Sequence, residues 1–231
     1  MQPFSRRNLL ALCGFTPLAF AKTWDSRPFP AWSDDFVDKI LTDSPWAKSS
    51  KAGFELPDEP HSASWPFAQI GFPGAGGWPS GGRGVSIRAE MYLTTRWASA
   101  LPLRQAAALH EFGPKGLESP RALELLNRRE PGYVIEIPGF PVAMIRQGAA
   151  GFETDLVKSA MLTVPGRQPV RAASARVPEH GMHLMATIRF PRFEELTVAD
   201  NYVEFTAETR FFKLRERFKL KTMVYGGELE L

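Results

Sequence analysis

Two histidines and two methionines within six positions are the residues of this chain best suited to hold a metal. They are His180, Met182, His183 and Met185. Imidazole and thioether groups suit copper, so this set raises copper binding as an alternative. If a strand begins near His183, however, His183 and Met185 share one face while His180 lies in the preceding turn. We therefore expect a polar turn followed by a strand, and no bound cofactor.

Tryptophans form a second candidate site. Five of the six lie before residue 85, at Trp24, Trp32, Trp46, Trp65 and Trp78. Exposed rings could stack on sugars and make this segment an aromatic binding surface. Alternatively, the rings fasten a proline-rich segment onto the core, where each one buries a large apolar area. The second interpretation is favoured here.

Other patterns have structural explanations. The glycine-rich run 74–84 lacks the Lys-Ser/Thr pair of a phosphate-binding loop and favours a connector.

Residues 213–221 place five basic side chains on one face of a predicted strand, which could bind a polyanion. Acids at alternate positions of the neighbouring predicted strands should pair with these bases: Glu204, Glu208, Glu228 and Glu230. The histidines at 61 and 110 have no carboxylate or serine at a spacing that indicates catalysis.

The elements that must position these residues change character at residue 85. Residues 22–84 are predicted to be a Pro/Gly/Trp-rich arm with one short helix, Asp34–Leu41. Residues 85–231 predict a mixed α and β pattern. Its helices are predicted at 101–112, 120–127 and 153–158, and its strands at 85–97, 133–137, 142–145, 160–164, 183–190, 203–209, 212–220 and 222–231. We expect one α+β domain with a substantial antiparallel sheet, preceded by a wrapped arm.

The first 21 residues predict an export signal. Arg6 and Arg7 precede an apolar run from Leu9 to Phe20, and Ala19-Phe20-Ala21 is a small-x-small cleavage site. The run is shorter than the ~20 residues that span a bilayer as a helix. The paired arginines resemble those of a twin-arginine signal. The expected location is periplasmic or secreted.

Cleavage after Ala21 would also remove Cys13, the only cysteine. The mature chain would then have no disulfide, thiolate metal site or cysteine nucleophile. Two of the 28 basic residues would leave with the signal, so the formal net charge would fall from +3 to +1. This near balance gives no reason to expect nucleic acid as a partner. Beyond the signal, no apolar stretch is long enough to span a membrane.

Several blocks of the chain resemble one protein family. The segment 24–33 and the block Ser44-Pro45-Trp46-Ala47 are similar to the start of a family of uncharacterised exported bacterial proteins, found mainly in soil bacteria. Residues 96–102 and the ending 218–231 resemble the same family. The Ser-Pro-Trp-Ala block is the most specific part. The resemblance implies a coherent exported protein and assigns no activity, cofactor or catalytic residue to any position.

The sequence therefore predicts a non-catalytic extracytoplasmic protein. It would be an envelope-associated binding or accessory module, and its partner an envelope or extracellular component, or a glycan, that the sequence does not name. The alternative is an extracytoplasmic enzyme, namely a hydrolase acting on an envelope polymer, or a copper protein. A deep pocket with converging titratable groups would favour the enzyme, whereas a flat or grooved aromatic surface would favour binding.

Overall fold

Local sequence signals place most helix ends, but the last helix begins at Ala149, four residues before the predicted 153–158. A computed structural model describes residues 24, 27–55, 88–141, 149–180, 183–209 and 212–231. Its helices are α1 Asp34–Thr42, α2 Leu101–Phe112, α3 Pro120–Asn127 and α4 Ala149–Ser159. Pro102 lies in the first turn of α2, which ends at Gly113 with a φ of 63°. Ser119 caps α3 by accepting a hydrogen bond from the Ala122 amide at 3.3 Å.

The strands form one large antiparallel sheet and one small hairpin. They are β1 Ala47–Glu55, β2 Arg88–Trp97, β3 Gly132–Pro141, β4 Met161–Thr163, β5 Val170–Arg171, β6 Ser174–Arg176, β7 Glu179–His180, β8 His183–Pro191, β9 Tyr202–Glu208, β10 Phe212–Lys219, β11 Val224–Tyr225 and β12 Glu228–Leu229. The order of the large sheet is β5-β4-β9-β10-β1-β2-β3-β8-β6, and β7 pairs with β8. Strands β11 and β12 pair only with each other. The predicted α+β fold with a substantial antiparallel sheet is confirmed.

The two edges of the large sheet meet, so that the sheet closes into a barrel. Only Ala172 and Ala173 separate β5 from β6, which lie at opposite ends of the strand order. The Ala172 amide donates to the Ala160 carbonyl beside β4 at 3.0 Å, and the Ala173 amide donates to the Arg189 carbonyl in β8 at 2.8 Å. These two hydrogen bonds connect the opposite ends of the strand order through one short segment of chain.

The interior of the barrel is mainly aromatic and aliphatic. At one end, Phe152 of α4 packs against Phe140 and Phe212, with ring centroids 5.7 and 6.0 Å apart. Further along, Trp97 contacts Tyr133 and Phe218 at 5.4 and 5.3 Å. Apolar residues alternate with polar ones along β10, which places every second side chain in this core. The burial of these rings supplies the main driving force for closure.

The segment before β1 packs against the rest of the protein. Trp24, Trp32 and Trp46 are buried in the same core as the barrel residues. The Trp46 indole N–H donates to the Glu230 carbonyl at 2.9 Å, which joins this segment to the C-terminus. The predicted packing of the arm is thus confirmed for these three rings, while Trp65 and Trp78 lie outside the described residues.

Two sequence predictions differ from the structure. Residues 47–55, placed in the arm by the sequence, form β1 in the middle of the sheet, paired with β2 along its whole length. The predicted final strand 222–231 is wrong, because a short 3-10 turn at Leu220–Thr222 leads into the separate β11–β12 hairpin. The predicted strand 142–145 lies outside the described residues. Among the described residues, no helix has the length and hydropathy needed to cross a membrane.

Candidate functional site

A cleft on the outer face of the barrel brings four arginines and two glutamates together. We call it the arginine cleft. It lies between α2 and strands β2, β3 and β8, and its empty volume, including space open to solvent, is about 510 Å³. Its charged lining consists of Arg96, Arg104, Arg128, Arg189, Glu130 and Glu136. Its apolar lining consists of Leu41, Ala98, Leu103, Ala107, Leu125 and Val134.

Strand register places three of the charged side chains next to one another. Arg96 of β2 lies directly opposite Glu136 of β3. On the other side of β3, Arg189 of β8 pairs with Val134. Val134 lies two residues before Glu136, on the same face of the strand. Because successive side chains alternate across a sheet, all three point away from the barrel interior, which their buried neighbours fill.

Arg96 is held by the helix that precedes β1. Its Nε donates to the Leu41 carbonyl in the last turn of α1 at 2.7 Å. That carbonyl has no partner within the helix, so the arginine also stabilises the helix end. Burial lowers the pKa of Arg96, and the nearby Glu136 partly opposes this. The hydrogen bond from Nε to the Leu41 carbonyl fixes the position of the Arg96 guanidinium.

Arg104 connects α2 to the end of α3. Its Nη1 donates to the carbonyls of Leu126 and Arg128, each at 2.6 Å. Its Nε is buried and has no hydrogen-bond partner among the described residues. Burial lowers the pKa of Arg104, with Glu230 and Glu130 acting in the opposite direction. A buried N–H without an acceptor carries a free-energy cost.

The two glutamates of the cleft differ in their pairing. Glu130 is 14% exposed and lies 3.9 Å from Arg128 Nη1 and 3.8 Å from Arg189 Nε. Glu136 receives no hydrogen bond within the described part of the chain. Burial raises the pKa of Glu136, and the charges of Arg96, Arg128 and Arg189 act against that shift. The cleft thus holds one loosely paired carboxylate and one carboxyl group whose pKa is raised by burial.

The chemistry of the cleft follows from this charge balance. Four guanidinium groups face at most two carboxylates, so the net charge is positive whichever form Glu136 takes. Guanidinium groups hold carboxylates, phosphates and sulfates by charge-assisted hydrogen bonds. The apolar half of the lining suits a small apolar body on such an anion. Among the described residues, no serine, cysteine, threonine or histidine lines the cleft.

The predicted copper residues lie at the turn between β7 and β8. His180 and His183 are opposite each other in the register of this hairpin. Met185 is half-buried on β8, on the strand face that alternates with the buried Leu184 and Ala186. Met182 lies outside the described residues. In the described part of the chain, no three or more histidine, cysteine, aspartate or glutamate side chains come together as a metal site. Copper binding stays a prediction.

The predicted aromatic surface needs a correction at three positions. Trp24 and Trp32 are 9% and 5% exposed, and Trp46 is fully buried. Trp24 packs on Trp46 with ring centroids 6.3 Å apart, and Trp32 lies 6.4 Å from Tyr225. Their faces are used in packing because the arm must bury apolar area to stay attached. These three rings therefore do not present a stacking surface to a glycan.

The basic side chains on β10 form pairs with acids of β9, as the sequence predicted. We call the outer surface of these two strands the strand face. Lys213 Nζ lies 2.8 Å from Glu208, and Glu204 binds Arg215 at 2.8 Å and Arg217 at 2.6 Å. The predicted contribution of Glu228 and Glu230 is wrong, because β1, and not the C-terminal segment, is the second neighbour of β10.

A second group of polar side chains lies inside the barrel. Glu216 of β10 is 8% exposed, and burial raises its pKa against a hydrogen bond from Ser50 and the charge of Lys48. One oxygen of Glu216, the Thr95 hydroxyl and the Trp97 indole N–H are buried without a partner among the described residues. Buried water commonly satisfies such atoms, so we assign this group to the core.

No sequence pattern predicts the arginine cleft. Its charged residues are spread from position 96 to position 189, and no two of them have a spacing typical of a motif. Arg96 and Glu136 could have been noticed as charged residues on strands, but their proximity depends on the pairing of β2 with β3. Compared with family models, with curated proteins and with solved structures, the chain gives no match.

Proposed function

We propose that this protein is an exported binding module that holds a small organic anion in the arginine cleft. The observation that carries the proposal is the convergence of four arginines from β2, β8, α2 and the end of α3 on one cleft. One feature supports it. Glu130 lies 3.9 Å from Arg128 Nη1 and 3.8 Å from Arg189 Nε, which is too far for a hydrogen bond, so these two guanidinium groups have N–H donors for a bound anion.

The enzyme alternative rests on Glu136, whose raised pKa suits a general acid or base. Among the described residues, however, the cleft lining contains no serine, cysteine, threonine or histidine. Hydrolysis of an envelope polymer would then depend on Glu136 and Glu130, and Glu130 lies within ion-pair distance of Arg128 and Arg189. Binding accounts for more of the lining residues, so it is preferred here.

The proposal is tested by calorimetric titration of the mature protein with sulfate, phosphate and acetate at one pH. We expect one site per chain for an anion. Arg189→Gln and Arg128→Gln each remove a partly exposed guanidinium with few contacts to the fold. Each should weaken binding by about tenfold or more, because a hydrogen bond to a charged group contributes about 1.5–3 kcal/mol.

Arg121→Gln is the matched control, because Arg121 is exposed on α3 and does not line the cleft. It should leave the affinity unchanged. The melting temperature of each variant shows whether a loss of binding reflects unfolding. Absence of any binding by the unmutated protein, or equal affinities for Arg189→Gln and the control, would contradict the proposal.

The exported location rests on the first 21 residues, with their twin-arginine-like head and Ala-x-Ala site. The mature protein should start at Lys22 and be recovered without detergent from the periplasm or the medium. N-terminal sequencing of protein isolated from its host tests this. A chain that begins at a lipid-modified Cys13, or that keeps residue 1, would require another location.

A further inference from the structure

Glu136 occupies an unusual position for a carboxyl group in an anion site. It lies on the floor of the arginine cleft, opposite Arg96 on β2 and opposite Thr187 on β8. It receives no hydrogen bond from any described residue, although three guanidinium groups influence it. A structural ion pair would bring a guanidinium nitrogen within hydrogen-bond distance, as Arg217 does at Glu204. Glu136 is therefore available to a ligand.

Every element around Glu136 supplies a charged group. Arg96 comes from β2, Arg189 from β8, Arg104 from α2, and Arg128 and Glu130 from the chain after α3. An anion bound among these arginines would be repelled by an ionised Glu136 at short range. A protonated Glu136 has an O–H that can donate a hydrogen bond to an oxygen of that anion. The same residue thus opposes binding in one form and assists it in the other.

We propose that Glu136 is a proton-coupled ligand-binding residue, and that the arginine cleft takes a tetrahedral oxyanion of the phosphate or sulfate type. This inference rests on the proposed function. Guanidinium groups that reach the cleft from several directions can donate to oxygens on several sides of a tetrahedral group. A planar carboxylate offers only two oxygens, which lie in one plane. Glu136 takes up a proton as the oxyanion enters and donates that proton in a hydrogen bond to one of its oxygens.

Inorganic sulfate is the suitable probe, because it carries two charges and does not itself titrate near neutral pH. Calorimetry in two buffers of different ionisation enthalpy measures the protons taken up per sulfate bound. We expect an uptake of up to one proton, and an affinity that rises by at most about tenfold for each unit of pH decrease, measured from about pH 8 to about pH 5. Phosphate should behave in the same way once its own titration is subtracted, and acetate should bind more weakly.

Glu136→Gln keeps the size of the side chain and a hydrogen-bond donor but cannot ionise. This variant should bind sulfate at about pH 8 at least as tightly as the unmutated protein, without proton uptake and with a flat pH profile. Glu124→Gln, on the exposed face of α3, should retain the original pH profile and serves as the matched control.

The outcomes separate the two proposals. Sulfate binding without proton uptake, together with an unchanged pH profile for Glu136→Gln, would overturn the role of Glu136 and leave anion binding intact. Tighter binding of acetate than of sulfate would overturn the tetrahedral class alone. No binding of any of these anions would reject the anion site and this inference together. Absence of proton uptake by the unmutated protein would overturn the role of Glu136 even if the variant does not fold.

Discussion

The strand face and the arginine cleft contain the same kinds of residue and pair them differently. On the strand face, Glu204 lies 2.8 Å from Arg215 and 2.6 Å from Arg217. In the cleft, the ion pairs of Glu130 measure 3.8 and 3.9 Å, and Glu136 has none among the described residues. Two adjacent strands place opposite charges side by side, so that each acid of the strand face forms short ion pairs with bases. The cleft collects charges from several elements, which leaves donors free for a ligand.

The carboxyl groups of the two regions have pKa values shifted in opposite directions. Hydrogen bonds from Arg215 and then Arg217 lower the pKa of Glu204, against some burial. Burial raises the pKa of Glu136 in spite of the arginines near it. Proximity to arginine therefore does not decide the protonation of a glutamate. A hydrogen bond at short range outweighs the desolvation of the carboxylate, and a longer-range charge does not.

The largest predicted effect concerns how the cleft is held in place. Trp46→Ala removes a fully buried ring and the hydrogen bond from its indole to the Glu230 carbonyl. The Glu230 carboxylate accepts a hydrogen bond from the Leu101 amide at the start of α2, the helix that carries Arg104. We expect a loss of about 3–5 kcal/mol in the free energy of unfolding, measured by urea denaturation. The anion affinity should fall as well.

Trp46→Phe is the matched control for this change. It keeps an aromatic ring in the core but removes the indole N–H, so the loss should be near 1 kcal/mol, plus the cost of the smaller volume. If Trp46→Ala leaves both the stability and the anion affinity unchanged, the arm does not position the cleft. In that case the barrel alone would hold α2.

A smaller effect should distinguish Glu136 from Glu204, namely the way in which each one makes the stability of the protein depend on pH. A raised pKa in the folded protein means that the contribution of Glu136 is present below its unfolded pKa and is lost as the pH rises through its folded pKa. Glu136→Gln should therefore stabilise the protein at alkaline pH relative to the unmutated chain. The gain should grow as the pH rises through the folded pKa of Glu136.

Glu204→Gln should act in the opposite sense and less strongly. The pKa of Glu204 is lowered, so its contribution is present above its unfolded pKa and is lost as the pH falls through its folded pKa. The variant should be less stable than the parent at neutral pH, and the difference should shrink in acid and in high salt, because Arg215 and Arg217 are exposed. Unfolding curves at several pH values test both variants. The same sign of pH dependence for both would contradict the comparison.

Much of the secondary structure could be predicted from the sequence, because its signals are local. Helix α2 was predicted with the observed bounds from Pro102 and Gly113, and β10 within one residue from its alternating pattern. Strand β1 was missed because its inner face carries Lys48 and Ser50, so apolar alternation is weak. Its place in the sheet is stabilised by pairing with β2 and β10, which no local pattern reveals.

The charge pairs of the strand face were also predictable in part, because β9 and β10 are consecutive strands joined by a short connection. Glu204 and Glu208 were correctly assigned to the bases of β10 on that ground. The assignment of Glu228 and Glu230 to the same bases was wrong, because the chain after β10 leaves the sheet. Sequence proximity therefore predicted one neighbour of the strand correctly and the other incorrectly.

By itself, the sequence determined the bounds of α1, α2 and α3 to within one residue, the alternation of most strands, the apolar residues of the core and the charge pairs between consecutive strands. Each of these depends on residues a few positions apart or on neighbouring elements. Only the tertiary structure decided that the sheet closes across Ala172 and Ala173, and that Arg96, Arg104, Arg128 and Arg189 meet around Glu136. The physical reason is that this cleft depends on strand order and on helix packing over long sequence distances, where burial and hydrogen bonding summed over the whole chain select one arrangement.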